Sequence, residues 1–289
     1  MLLLTESLTK AYGSFLALDR LDLAVQAGEI VGLLGPNGSG KSTALRLMLG
    51  FLRPTAGRAT IAGHDCWHDG ATARRHVAYL PGELRLYENM TGRQLVRFLG
   101  ALRGQPPTDR IDALARSFEI DVDRPIAHLS SGMKRKVALL AVLLPQTPLV
   151  ILDEPTNTLD PNMRDELLGQ LVRARERGQA VLFSSHVLAE VERVCDRVAI
   201  LQQGRLVLVQ DMRALRSERR IRVRLAHPGD RLPELPGLRQ KAAADGVLEL
   251  LHVGPISELL AWLARQPVAD VQIESAGLAE IYHHYHPNA

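Results

Sequence analysis

Residues 35–43, GPNGSGKST, have the types and spacing that bind a phosphate group. The short apolar run IVGLL at 30–34 precedes them, and a segment with helical apolar spacing follows. A strand, a glycine-rich loop and a helix in this order bring backbone N–H groups and a helix N-terminus to a phosphate. We expect Lys41 to reach the terminal phosphates of a nucleotide and Ser42 to ligate Mg²⁺. The predicted phosphate-binding residues are Gly35, Pro36, Asn37, Gly38, Ser39, Gly40, Lys41, Ser42 and Thr43.

A second candidate segment, LVILDEPTNTLD at 149–160, ends an apolar run with two carboxylates. In an open α/β sheet, ligands bind at the carboxyl ends of the strands. We expect Asp153 to hold Mg²⁺ and Glu154 to act as the base that orients an attacking water. On their own, the two acids are better explained as the end of a strand at the protein surface. The phosphate-binding loop about a hundred residues earlier favours the catalytic interpretation.

A third segment, VLFSSH, repeats this pattern at 181–186. The apolar residues predict a short strand, and Ser184 and Ser185 are predicted to cap the helix that follows. His186 would then lie at the end of a third active-site strand. A lone histidine is usually structural, but this position favours a contact with the terminal phosphate.

A fourth segment, LSSGMKRK at 129–136, predicts a helix that begins beside small polar residues. Ser130, Ser131 and Gly132 lie where backbone donors and the helix dipole attract an anion. Taken alone, this segment is better explained as an ordinary serine-capped helix.

The composition limits the class of protein. The chain has 289 residues, of which 46% are hydrophobic and 23% charged, with a formal net charge of +3. These values are typical of a globular protein, and the small net charge gives no reason to expect a nucleic-acid partner. The longest apolar run, Val137–Leu144, is far shorter than the roughly 20 residues of a membrane span. We therefore expect a soluble chain with free Cys66 and Cys195 in a reducing compartment.

The elements that position these residues divide into a core and two additions. Residues 1–85 and 149–212 carry the strand and loop patterns of an α/β core. Residues 86–148 show helical apolar spacing, interrupted at Pro106-Pro107. Residues 213–289 predict a small α+β appendage with strands at 221–226 and 268–275, a hairpin at 238–253, and helices at 256–266 and 278–286. Its arginine-rich start is best explained as a solvated face.

Together these segments resemble the nucleotide-binding subunit of an ATP-binding cassette (ABC) transporter, over about residues 1–212. GPNGSGKST is similar to the Walker A motif, LVILDE to Walker B, LSSGM to the family signature and SSH to the switch histidine. NTLD, ending at Asp160, is similar to the D-loop, and Tyr12 in KAYG to the aromatic residue that stacks on adenine. The resemblance implies a P-loop NTPase core with a helical signature subdomain at about 86–148. The domains implied are 1–212 for ATP binding and 213–289 for a small accessory unit.

The resemblance also implies function. Such cassettes bind ATP and Mg²⁺ and hydrolyse ATP, and two of them close head to tail around two nucleotides. The signature of one cassette then meets the P-loop of the other, so Ser130, Ser131, Gly132 and Asp160 are expected to contact nucleotide across the dimer. A homodimer is expected, together with a separate transmembrane permease at the cytoplasmic face of the membrane. Cassettes with such a tail usually serve ABC-2-type bacterial exporters.

The alternative is a soluble ABC ATPase that acts on ribosomes or DNA. Ribosome-acting relatives typically carry two cassettes, whereas this sequence shows one. DNA-repair relatives insert long coiled coils, for which residues 44–128 are too few. We therefore expect no nucleic-acid partner.

Two segments depart from the family pattern. The signature is usually LSGGQ, and here Ser131 and Met133 replace Gly and Gln. The family commonly has Gln after Leu-Pro in a loop that touches Mg²⁺, the attacking water and the permease. Gly82 stands there, followed by Glu83, and a glycine has no side chain with which to ligate.

Overall fold

The computed structural model describes residues 1–105, 110–226, 235–244, 247–275 and 277–285. The chain forms two compact units, one of residues 1–209 with Tyr285 and the other of residues 210–284. This division lies three residues before the boundary at 212 that the sequence predicts, and the assignment of domains stays a prediction.

The first unit combines two sheets with seven helices and a short 3₁₀ turn among its described residues. In chain order the elements are β1 (Leu3–Tyr12), β2 (Phe15–Val25), β3 (Ile30–Leu34), α1 (Lys41–Met48), β4 (Ala56–Ile61), β5 (His64–Asp65), α2 (Gly70–Arg75), β6 (Val77–Leu80), α3 (Gly92–Leu102), α4 (Arg110–Ser117), the 3₁₀ turn (Ile126–His128), α5 (Ser131–Leu143), β7 (Leu149–Leu152), α6 (Pro161–Glu176), β8 (Ala180–Ser185), α7 (Leu188–Val194), β9 (Arg197–Gln202) and β10 (Arg205–Asp211).

The main sheet has six strands in the order β10-β9-β3-β8-β7-β6. Strands β9, β3, β8, β7 and β6 pair in parallel. Every residue of β3, β7 and β8 is buried. Parallel strands are covered on both faces, which explains why their sequences are continuous apolar runs. The predicted α/β core is confirmed.

A second sheet, in the order β2-β1-β4-β5, is antiparallel. Its buried residues, among them Leu18 and Ile61, join one hydrophobic cluster with residues of β3 and α1. The two sheets and the helix after the glycine-rich loop therefore share a core, which fixes where that loop lies.

The region predicted to be helical contains α3, α4, the 3₁₀ turn and α5. Helix α3 begins with a capping box in which the Thr91 and Gln94 side chains satisfy each other's backbone N–H groups. Pro106 and Pro107, where the sequence predicts a break, lie outside the described residues.

The second unit is built on an antiparallel sheet in the order β12-β13-β11-β14. Its elements are α8 (Met212–Ser217), β11 (Glu218–Leu225), β12 (Leu238–Ala244), β13 (Val247–Val253), α9 (Ile256–Leu263), β14 (Val268–Ser275) and α10 (Leu278–Tyr285). Ile221 and Val223 of β11 pack with Leu250, Leu259 and Trp262 in its core. The other described strands and helices lie at or within the predicted segments, but β11 begins three residues before the predicted strand at 221–226 and α8 was not predicted. The predicted Asp245-Gly246 turn lies outside the described residues.

Alternation along β11 sorts its side chains to two faces. The apolar Ile221 and Val223 are fully buried, whereas Arg220 and Arg222 both approach Glu249 on β13. This agrees with a charged outer face. No helix in the part of the chain that the structure describes combines the length and hydropathy needed to cross a bilayer.

Candidate functional site

Four segments meet at one edge of the main sheet, because they follow parallel strands that are neighbours in it. The glycine-rich loop follows β3, His186 follows β8, Asp153 follows β7 and Gly82 comes soon after β6. The order β3-β8-β7-β6 therefore brings together segments up to about 150 residues apart in sequence.

The glycine-rich loop needs glycine at its two ends. Gly35 has φ 156°, and a Cβ there would lie 2.4 Å from Ser39 Oγ and 2.5 Å from the Leu201 carbonyl oxygen. Gly40 has φ 105° at the start of α1, where a Cβ would lie 2.9 Å from the Ala17 carbonyl oxygen. A side chain at either position would push the loop out of this curved shape.

Lys41 lies inside the curve of the loop and is only 4% exposed. Its Nζ donates to the Gly35 carbonyl at 2.7 Å and the Pro36 carbonyl at 3.1 Å, and lies 3.6 Å from Glu154 Oε1. Ser39 Oγ is buried and has no hydrogen-bond partner among the described residues. Helix α1 has no acidic residue in its first turn. A buried cation, an unused hydroxyl and a helix N-terminus fit a phosphate ligand.

Asp153 lies at the end of β7 and is 4% exposed. Its Oδ1 accepts a hydrogen bond from Ser184 Oγ at 2.7 Å, and the same hydroxyl accepts from the Glu154 backbone N–H at 2.8 Å. Asp153 and Ser42 line one cleft of about 650 Å³, which Glu83 also borders. A carboxylate and a hydroxyl are hard oxygen donors, which fit Mg²⁺ when phosphate oxygens and waters complete the set.

Glu154 is held in a left-handed backbone conformation with φ 46°. Its Oε2 accepts from Asn157 Nδ2 at 2.9 Å and lies 3.1 Å from His186 Nδ1. Burial favours the neutral acid, but the Asn157 hydrogen bond and the charge of Lys41 outweigh it, so the pKa of Glu154 is lowered. The carboxylate is therefore charged near neutral pH. Strain at a non-glycine residue of this kind is common in active sites.

Ser184 and Ser185 do not cap a helix, so that prediction is wrong. Both are buried at the end of β8, and α7 begins only at Leu188, after an uncapped Val187. Extended backbone at these serines continues the parallel sheet, and their hydroxyls bond to Asp153 and Glu190 instead. His186 follows them as predicted, half exposed, beside Glu154.

The other predicted residues lie on other elements of the first unit. Ser130 caps α5 by accepting from the Met133 N–H at 3.3 Å, and Ser131 is exposed at the start of the helix. Asp160 is exposed and caps α6, accepting from the Met163 N–H at 3.0 Å. Tyr12 is 50% exposed at the end of β1. Their predicted nucleotide contacts stay predictions.

Gly132 is tightly packed even though the helix start is exposed. A Cβ there would lie 3.0 Å from the Thr158 carbonyl oxygen. The start of α5 therefore touches the NTLD segment within one chain, and a larger residue at 132 would separate them.

The structure adds site contacts that the sequence analysis did not predict. Asn157 binds Glu154, and Ser184 binds Asp153. Glu190 is 6% exposed, and its Oε2 accepts from Thr156 and Ser185, each at 3.0 Å. The only signal in the sequence was the polarity of these residues beside predicted site residues.

Comparisons with known proteins agree with this geometry. A family model described as "ABC transporter" matches residues 18–157. The solved structure of an ATP-binding subunit of an ABC transporter is similar with 33% identity and a TM-score of 0.70, over 75% of this chain and 92% of that one. The chain belongs to the ABC transporter family of ATP-binding cassettes. The predicted family and the P-loop NTPase fold are confirmed.

Two curated relatives have names that state a transport role. The probable multidrug ABC transporter ATP-binding protein YbhF of Escherichia coli (strain K12) is 36% identical over 207 residues, or 70% of this chain and 36% of YbhF. The Nod factor export ATP-binding protein I of Rhizobium meliloti is 37% identical over 207 residues, or 70% of this chain and 62% of that protein. The cassette therefore spans about a third of the first relative and less than two thirds of the second.

Proposed function

We propose that this chain binds ATP with Mg²⁺, hydrolyses it, and thereby drives transport through a separate membrane permease. One observation carries the proposal. Lys41, Asp153, Glu154 and His186, which follow three different strands, meet at one edge of the sheet. These are a phosphate-binding cation, a metal ligand, a base and a second polar group beside that base, which is the set that phosphoryl transfer to water requires.

Each residue has a distinct role in this proposal. Lys41 exchanges Glu154 for the terminal phosphates when ATP enters, and the loop N–H groups hold the phosphate oxygens. Ser42 and Asp153 would hold Mg²⁺, which neutralises phosphate charge when bound. Glu154 then orients a water for attack, and the half-exposed His186 contacts the terminal phosphate. Tyr12 stacks on adenine.

The signature segment supports a dimer. Ser130 and Ser131 lie at the exposed start of a helix, where Ser130 accepts from the Met133 N–H and Gly132 packs against the Thr158 carbonyl of the NTLD segment. A helix start of this kind attracts an anion, so it completes a site only when a second copy brings its own loop. We propose a head-to-tail homodimer with two nucleotides between the copies, in which Asp160 also lies at the dimer interface.

The partner is proposed to be a separate transmembrane permease, with the cassette at the cytoplasmic face of the membrane. The name of the Rhizobium meliloti relative supports export as the direction of transport. The names of both relatives argue against the alternative of a ribosome- or DNA-acting ATPase. In this proposal residues 1–212 form the ATP-binding domain and 213–289 an accessory domain.

Co-purification tests the proposal. The chain is tagged in its native cells, and the membranes are solubilised in mild detergent. A multi-span protein in stoichiometric amount, together with ATPase activity that Lys41→Ala abolishes, is the expected result. Recovery of the chain with ribosomes or nucleic acid and without a membrane protein would contradict it.

A further inference from the structure

A buried arginine joins the signature helix to the loop in which Gly82 replaces the usual glutamine. Arg135 lies in α5 and is 5% exposed. Its Nη2 donates to the Gly82 carbonyl at 2.8 Å, and its Nη1 donates to the Pro81 carbonyl at 3.3 Å. One guanidinium therefore holds two successive carbonyls of a segment more than fifty residues away. A fork of this geometry is specific to arginine, because a lysine ammonium is a single point.

The segment that Arg135 holds lies directly against the predicted Mg²⁺ ligand. A Cβ on Gly82 would lie 3.4 Å from Asp153 Oδ2 and 3.7 Å from its carbonyl oxygen. The Asp153 backbone N–H also donates to the Leu80 carbonyl at 2.8 Å. A shift of residues 81–82 would therefore press on the Asp153 carboxylate or withdraw from it.

Charge balance explains why an arginine is tolerated there. Burial lowers the pKa of the Arg135 guanidinium, and the negative charges of Asp153 and Glu154 oppose that shift. The two carboxylates expected to bind Mg²⁺ and water thus also stabilise the cation behind the 81–82 segment. Arg135 Nε is buried without a hydrogen-bond partner among the described residues, so one donor of the guanidinium is unused.

The preceding residue makes a different contact. Lys134 Nζ lies 2.6 Å from Glu88 Oε1, and the two side chains are 27% and 63% exposed. An exposed ion pair of this kind contributes little, about 0–1 kcal/mol. The two adjacent basic residues therefore hold the same loop at two points, but only Arg135 is buried and close to the carboxylates.

We propose that Arg135 is a positioning residue for ATP hydrolysis, standing in for the side chain that position 82 lacks. It holds Pro81 and Gly82 against Asp153, so that movement of the signature helix is transmitted to the predicted Mg²⁺ ligand. This inference rests on the proposed ATPase function. Because Arg135 acts through the loop and Asp153, it affects the chemical step more than the binding of ATP.

Steady-state ATP hydrolysis by the purified full-length chain tests this role. For Arg135→Ala we expect kcat to fall about 10- to 100-fold. We expect KM for ATP to stay within about twofold and the Mg²⁺ concentration for half-maximal rate to rise. Millimolar methylguanidine should restore part of kcat, because it refills the vacated site. Arg135→Lys should restore little of it. The matched control Lys134→Ala should retain wild-type kcat.

Three outcomes would overturn the inference. They are an unchanged kcat in Arg135→Ala, equal losses in Lys134→Ala, and a loss of kcat with no rescue and no change in Mg²⁺ dependence. If Arg135→Ala fails to fold, Arg135→Lys decides, since it keeps the charge and loses the fork. A wild-type kcat in Arg135→Lys would then refute the proposal. A wild-type chain without ATPase activity would instead refute the proposed function itself.

Discussion

Lys41 and Glu154 form an ion pair beside the glycine-rich loop, with Lys41 Nζ 3.6 Å from Glu154 Oε1. The lysine is 4% and the glutamate 17% exposed, so solvent screens the pair only weakly. The residue that we assign to phosphate binding and the residue that we assign to catalysis therefore neutralise each other in this state. In the proposed function, ATP displaces Glu154 from Lys41, which frees the carboxylate when the phosphates arrive.

Glu154→Gln should bind ATP more tightly than the wild-type chain. The substitution removes a negative charge beside the incoming triphosphate and leaves Lys41 without a competing partner. We expect Kd to fall about tenfold, or about 1.4 kcal/mol. Titration calorimetry with ATP measures this, and Glu176→Gln, at an exposed position near the end of α6, is the control. An unchanged or weaker affinity would show that the ion pair does not oppose binding.

Asn157→Ala should move the acidic limb of the pH–rate profile to higher pH. The pKa of Glu154 lies below its ordinary value of 4.5 because, against the effect of burial, Asn157 donates to the carboxylate and Lys41 attracts it. A lowered pKa keeps Glu154 ionised and active as pH falls toward 4.5, and its contribution to stability is lost only as pH falls through the folded-state value.

Removing the Asn157 donor raises that pKa, so activity is lost earlier on acidification. The profile of kcat against pH measures the shift. The control is Asn162→Ala, which changes an exposed asparagine in the first turn of α6. It should leave the acidic limb at the same pH as in the wild-type chain. A limb at the same pH in Asn157→Ala would contradict this account of Glu154.

Much of the site was predictable because its chemistry follows strand ends. The segments at 30–43 and 149–154 each carry an apolar run and then the functional residues, so sequence order alone indicates both strand and site. Ser184 was misassigned because a serine after a strand is equally typical of a helix cap. Its partner, Asp153, directly follows the neighbouring strand β7, and no local sequence pattern indicates that pairing.

Contacts between distant elements were not predictable. Arg135 was visible in the sequence only as one of three basic residues on a helix, and Gly82 only as a missing glutamine. Their contact depends on how α5 packs beside the end of β6. Long-range packing of this kind depends on the whole core rather than on residues near either partner.

Glu190→Ala should destabilise the first unit. Its buried carboxylate accepts from Thr156 and Ser185, so the substitution leaves two hydroxyls without their acceptor. We expect a loss of about 2 kcal/mol, seen as a fall in Tm of about 4–8 °C. Glu176→Ala, at an exposed position, should shift Tm by less than 2 °C. Equal Tm values for Glu190→Ala and the wild-type chain would show that the network is not structural.

Ser131→Arg and Lys41→Ala should complement each other in a mixture. Ser131→Arg disrupts the exposed start of α5 and leaves the glycine-rich loop intact. Lys41→Ala disrupts the glycine-rich loop and leaves the start of α5 intact. A head-to-tail dimer of one copy of each has one complete site. Equal mixing should therefore restore about a quarter of the wild-type rate. ATPase rates of the mixture and of each variant alone measure this, and a mixture no faster than the two alone would exclude shared sites.

Hydrolysis of ATP with Mg²⁺ by Glu154→Gln, measured beside the wild-type chain, tests the central claim most directly. A base in the position of Glu154 contributes about 10²- to 10⁴-fold, so kcat should fall by at least about a hundredfold. The variant should still bind ATP and remain dimeric with ATP bound. A kcat within twofold of the wild-type value would contradict the assignment of Glu154 and of the site built around it.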